Sequence, residues 1–151
     1  MTRGEKAKAL FESGYTCSQA VALSFADLFD IPEEALSALA APFGGGMGRM
    51  REVCGAVSGS FMILGLTEKY TDPADSEGKM ALYAKVREIA DKFKAENGSI
   101  ICRELIEGVK TASGGIPEER SPEYYKKRPC GELVKRAADI IEEYLNERAS
   151  L

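Results

Sequence analysis

The chain has 151 residues, 44% of them hydrophobic and 29% charged, and a formal net charge of −4. That length suits one domain able to bury roughly 68–70% of its unfolded surface; the composition argues against disorder, and the charge offers no field for nucleic acid or anionic lipid. Histidine is absent, which removes the Cys-His and Ser-His nucleophile pairs and every histidine-containing metal site.

Apolar residues recur at helical spacing and no period-two alternation stands out. The first helix is expected over Thr2–Ser13, with Ala7, Leu10 and Phe11 inward and Gly14 as its stop. Charged residues interrupt this N-terminal stretch throughout, so no secretory signal is expected. The second opens at Thr16-Cys17-Ser18-Gln19, where Thr16 and Gln19 fit a capping box, and should run to Phe29 with Val21, Phe25 and Leu28 on one face. Pro32 suits the first turn of a shorter helix, Pro32–Ala40. A glycine-rich loop, Gly44 to Gly48, precedes a helix expected over Arg49–Leu66. That helix carries no charge after Glu52 until Glu68, the mark of a buried central element. Within it Gly55 and Gly59 leave a notch for another helix or a ligand, each costing about 1 kcal/mol relative to alanine.

An amphipathic helix follows over Lys79–Glu96, aligning Leu82, Val86, Ile89 and Phe93, and Asn97-Gly98 ends it. Ser99 caps a short helix reaching Val109; Thr111–Pro122 is expected to be irregular; the last helix spans Cys130–Arg148. Leu133, Val134, Ala137, Ile141, Tyr144 and Leu145 form its inner face. The expected fold is all-α: a single-domain orthogonal or irregular bundle of about six to eight helices around a buried central helix.

The longest uncharged stretch, Val53–Thr67, falls short of the ~18 apolar residues of a membrane span. A cytoplasmic location is expected, with neither membrane insertion nor nucleic acid among its interactions. Thiols are kept reduced there, so four cysteines point to chemistry or metal before structural disulfides.

Cys17, Cys54, Cys102 and Cys130 each fall on the apolar face of a predicted helix, which places all four thiols toward a common interior. Packing as small hydrophobes explains that equally well. A second regularity favours chemistry. Cys17, Cys102 and Cys130 lie in or beside first helical turns, where unpaired N–H groups and the helix dipole favour a thiolate. Arg103 and Arg128 add positive charge nearby, and Cys54 is expected deep in the apolar helix as a partner or resolving thiol.

No Cys-x-x-Cys occurs, so any site must be assembled from separate helices. Two uses compete. A thiol redox protein would use Cys17 or Cys130 to attack a disulfide or oxidant; an oxidoreductase acting on thiols or disulfides is the enzyme class this implies. Alternatively, zinc or an iron–sulfur cluster would take all four cysteines as ligands. A third alternative is a non-catalytic interaction module using the Gly55/Gly59 notch. The glycine loop, followed by Arg49 and Arg51, has amides able to cradle an anion, although a tight turn beside the buried helix explains the same residues. It lacks a preceding strand and the Gly-Lys-Ser/Thr ending, so nucleotide-loop readings fail. Glu33, Glu34, Glu118, Glu119, Glu142 and Glu143 look like solvated surface.

The chain resembles the redox-active protein family named for its cysteine pattern, C_GCAxxG_C_C. The matching residues are Gly14-Tyr15-Thr16-Cys17-Ser18-Gln19-Ala20, Phe43-Gly44-Gly45-Gly46-Met47 and Cys54-Gly55-Ala56-Val57-Ser58-Gly59, then Cys102 and Cys130. The resemblance implies that these four cysteines define the family and serve a redox role. It names no substrate, electron donor or cofactor, so a redox partner and a small-molecule substrate both stay open. It also implies a link to a transporter system, and a homo-oligomer is compatible with it. A related module occurs in multihaem cytochromes, but without Cys-x-x-Cys-His no haem attaches here.

Overall fold

The computed structural model describes residues 1–109 and 114–150, with the backbone alone at Lys127. The regular elements of the described residues are all helices, their only β pairing being an isolated antiparallel bridge between Val53 and Ile101. The expected all-α bundle is what the chain forms.

Helix α1 (Arg3–Glu12) is capped by Thr2, whose hydroxyl accepts from the Glu5 amide. It buries Ala7 and Phe11 against α9 (Cys130–Ala149). Gly4 lets the two backbones approach: a Cβ there would lie 2.9 Å from the Lys135 carbonyl oxygen. Helix α2 (Cys17–Leu23) opens with the expected capping box of Thr16 and Gln19. It ends six residues before the expected Phe29, because Ser24 turns its hydroxyl back onto the Val21 carbonyl and a 3-10 turn, Ala26–Leu28, replaces the helix. The change of path buries Phe25 but leaves Leu28 half exposed, contrary to the single face expected for both.

Helix α3 (Glu33–Ala40) seats Leu36 and Ala40, and the buried Ser18 hydroxyl donates to the Ala40 carbonyl at 2.6 Å, fixing α2 on α3. The glycine loop coils into a four-residue turn, α4 (Gly44–Met47), with Gly45 and Gly46 in left-handed geometry. Left-handed backbone continues at Met47, Gly48, Arg49 and Arg51, which no right-handed helix tolerates. The central helix α5 (Gly55–Glu68) therefore starts six residues later than Arg49. It is the buried element expected, with Ala56, Val57, Ile63 and Leu64 in the core.

The glycine notch on α5 is already filled. A Cβ on Gly55 would lie 2.9 Å from the Phe43 carbonyl oxygen and 3.1 Å from Cys17 Cβ, and one on Gly59 would lie 2.7 Å from the Ser18 carbonyl oxygen. Helix α2 occupies the groove, so it presents nothing to a partner.

Helix α6 (Ser76–Asn97) is capped by Asp75 and stops at left-handed Gly98, burying Ile89 and Phe93. A single short turn, α7 (Cys102–Leu105), follows. Of the expected irregular connection, residues 111–113 lie outside the described residues; the rest is non-helical until α8 (Pro122–Lys127), capped by Ser121 and unforeseen in the sequence. Helix α9 lies within one residue of its expected span and packs against α1, α2, α5 and α6, burying Val134, Ala137, Ile141 and Tyr144. No described helix is long and apolar enough to cross a membrane.

Candidate functional site: four thiols in one cationic cavity

All four cysteines line one cavity of about 240 Å3. Each arrives on the start of a helix: Cys17, Cys102 and Cys130 are the first residues of α2, α7 and α9, and Cys54 is the cap of α5. Cys54 is thus not deep within its helix, as the apolar run suggested; the left-handed residues before it delay the helix until Gly55.

Two local devices bring the sulfurs together. The Val53–Ile101 bridge is flanked by amide bonds from Cys54 to the Ile100 carbonyl at 2.8 Å and from Cys102 to the Glu52 carbonyl at 2.6 Å. That clamp joins Cys54 to Cys102 across the chain. Gly46 makes it close-fitting: a Cβ there would lie 2.6 Å from Cys102 Cβ and 2.8 Å from Arg51 Cα. On the opposite wall, packing of α2 against α9 brings Cys17 to Cys130, close enough for the ionisation of one thiol to depend on the other.

The thiols differ in acidity. Cys130 is held down to about 7, first by the hydrogen bond from Cys17, with burial opposing and Arg128, Arg120 and Arg51 adding positive charge. Cys17 is pushed well above its ordinary value by the same bond, which it donates, and by burial. The pair shares one proton; Cys130 is the member that gives it up. Burial drives Cys54 up to about 12, although the Ala56 and Val57 amides favour its anion. Cys102 is also raised by burial, against the pull of Arg51, whose Nη1 lies 3.7 Å from its sulfur. Helix-start placement favours low values at Cys17, Cys102 and Cys130; the interaction with Cys130, then burial, outweighs it at Cys17, and burial outweighs it at Cys102.

Arg128 was expected beside the thiols; Arg103, expected there too, is not among the cavity-lining residues, whereas Arg120 was not foreseen. Arg49, Arg51, Arg120 and Arg128 all line the cavity. Arg128 keeps only 3% of its side chain exposed; it donates to Glu118 and stacks 4.8 Å from the Tyr124 ring. Arg120 donates to the Phe11 carbonyl at 3.1 Å and lies 4.6 Å from the Phe11 ring. Glu118, expected on the solvated surface, instead reaches the cavity and accepts from Arg49 as well as Arg128. The glycine loop forms a tight turn, with the Gly48 amide and those of Met50, Arg51 and Glu52 just after it donating to the loop carbonyls.

Among the described residues, no group of three or more cysteine, histidine, aspartate or glutamate side chains is placed to hold a metal ion. The four-donor tetrahedron around one ion that a structural zinc site requires is therefore not assembled among them. What the cavity does provide is an acidic thiol beside a second thiol, under a cationic wall, with two protonated thiols facing them.

Neither the curated proteins nor the solved structures include a match to this chain. The model of one family, described as Putative redox-active protein (C_GCAxxG_C_C), matches residues 15–144, a span that takes in every one of these cysteines, and the chain belongs to that family.

Proposed function

We propose that this member of the family is a cytoplasmic thiol–disulfide redox protein, with Cys130 as attacking thiolate and Cys17 as resolving thiol. The observation that supports it is the placement of Cys17 and Cys130 together in a cavity lined by arginines, a setting that holds Cys130 at about 7. A thiol near ambient pH combines a large thiolate fraction with retained nucleophilicity.

The steps follow from the pairing. Cys130 Sγ attacks one sulfur of a substrate disulfide, forming a mixed disulfide and expelling the other half as thiolate. Cys17, whose proton is held firmly, releases it to the departing thiolate as its own sulfur attacks Cys130 Sγ. A Cys17–Cys130 disulfide forms, the second substrate half leaves as a thiol, and two electrons have passed to the substrate. An external dithiol restores the reduced pair by the reverse exchange. Cys54 and Cys102 stay protonated on the facing wall and act as the second dithiol.

Disulfide trapping tests this. One equivalent of a small neutral disulfide should oxidise the native protein to a Cys17–Cys130 bond, identified by peptide mapping, and Cys17→Ser should stop at a mixed disulfide on Cys130. Four thiols unreactive to mild oxidant in the native state, or first capture at a residue other than Cys130, would refute the assignment.

A further inference from the structure

Four guanidiniums and one described carboxylate, Glu118, line the cavity, in a chain whose net charge is −4. Positive charge is thus concentrated where the thiols are. Three of the arginines have evident structural work: Arg128 and Arg49 bond Glu118, and Arg120 bonds the Phe11 carbonyl beneath aromatic rings.

Arg51 does not. Its Nη1 meets the sulfur of Cys102 at 3.7 Å, a weak acceptor. Its Nη2 is the one buried side-chain nitrogen or oxygen among the described residues that has no hydrogen-bond partner. A buried donor left unsatisfied carries a desolvation cost, larger on a charged group, that an anion bound to it would offset. The fold holds it in place all the same, through the left-handed backbone of Arg51 and the Arg103 guanidinium and amide, which both donate to the Arg51 carbonyl. At about 240 Å3 the cavity is smaller than the ~300–1,000 Å3 of ordinary drug-sized pockets, so its occupant is compact.

We infer that the cavity contains an oxyanion subsite: the sulfur electrophile attacked by Cys130 carries a compact sulfonate or carboxylate whose oxygens are bound by Arg51 Nη2. This assignment rests on the thiol–disulfide reading and names the substrate class for it. The exchange is unchanged: the bond from Cys130 Sγ to the substrate sulfur forms, the substrate's own bond to that sulfur breaks, and the leaving half departs with the electron pair. Arg51 holds the anionic part while the sulfur faces Cys130. It is a binding residue.

Methanethiosulfonates test the subsite, since each transfers a two-carbon thiol fragment by the same displacement, expelling methanesulfinate, and they differ in the terminal group. Rates at Cys130 are compared for 2-sulfonatoethyl, 2-carboxyethyl and 2-(trimethylammonio)ethyl methanethiosulfonate, each divided by its rate with N-acetylcysteine. Ratios between reagents cancel any change in thiolate fraction. The anionic reagents should exceed the cationic one by at least tenfold; Arg51→Gln should abolish the preference and Arg51→Lys retain part of it. The larger of the two anionic rates identifies which headgroup fits. Because Arg51→Gln also removes a buried charge, wild-type protein gives a second measurement: sulfate should slow reaction with neutral methyl methanethiosulfonate relative to chloride at equal ionic strength. Equal normalised rates, a preference that survives Arg51→Gln, or absence of sulfate protection overturns the subsite while leaving the thiol chemistry standing. Cys130 inert to every reagent overturns both.

Discussion

Replacing Cys17 with alanine removes the hydrogen bond that is the largest cause of Cys130 acidity. The pKa of Cys130 should then rise from about 7 toward the ordinary 9.0. At pH 7 a thiol of pKa 7 is about half thiolate and one of pKa 9 about one part in a hundred, a ~50-fold loss of reactive form. Intrinsic nucleophilicity moves the other way: with a Brønsted coefficient of about 0.4–0.5, two units of basicity raise it ~6–10-fold. The variant should therefore exchange with a neutral disulfide roughly 5–8-fold more slowly at pH 7, yet ~6–10-fold faster above pH 10. The two pH–rate profiles must cross. The assay is stopped-flow release of a chromophoric leaving thiol under a single-hit excess of protein, with Cys17→Ser as a control that keeps a shorter donor and should fall between. A midpoint that stays near 7 in Cys17→Ala would refute the hydrogen bond as the source of acidity and leave the arginines as its cause.

Gly46→Ala should lower stability by several kcal/mol in denaturant unfolding, because Gly46 has φ +69° and an added Cβ would lie 2.6 Å from Cys102 Cβ. Ile141→Ala, at a fully buried site on α9, should cost about 2–5 kcal/mol with its denaturant slope little changed. Stability should also fall as pH rises from 9 toward 12. Below 9 both the folded and the unfolded chain keep Cys54 protonated and its contribution is complete, whereas between 9 and 12 only the unfolded chain loses that proton. Cys54→Ala should flatten this alkaline slope in urea titrations. Arg128→Met, which strips Glu118 of a buried partner, should both destabilise the fold and raise the Cys130 midpoint in a pH–alkylation profile.

Apolar spacing was enough to find α1, α6 and α9 to within about three residues, because each is long and amphipathic and has a clear stop such as Gly98. The capping box at Thr16 and the common direction of the four thiols were legible for the same reason: both depend on residues near in sequence. The start of α5 was not. Apolar periodicity carries no information on handedness, and the left-handed path runs through Met47, Arg49 and Arg51, which are not glycines. Helix α8 has six residues, too few for a periodic signal, and it was masked by the Gly-Ser-Pro composition around it. The ordering of acidities was hidden too. It depends on which sulfur is donor and which acceptor, and on Arg120 and Arg51, which approach Cys130 only through tertiary packing. Glu118 reads as a surface charge because it is hydrophilic alone; paired with Arg128 it is satisfied inside.

The seating of α1 on α9, with Gly4 against the Lys135 carbonyl, ties together two helices more than a hundred residues apart in sequence. Helical proteins usually fold fast because their contacts are local in sequence, and closing so long a loop works against that habit. Individual helices should therefore form early and their assembly late. A nascent chain would emerge with Cys17, Cys54 and Cys102 exposed long before α9 is synthesised to enclose them, so its most vulnerable interval for stray oxidation precedes completion of the C-terminal helix.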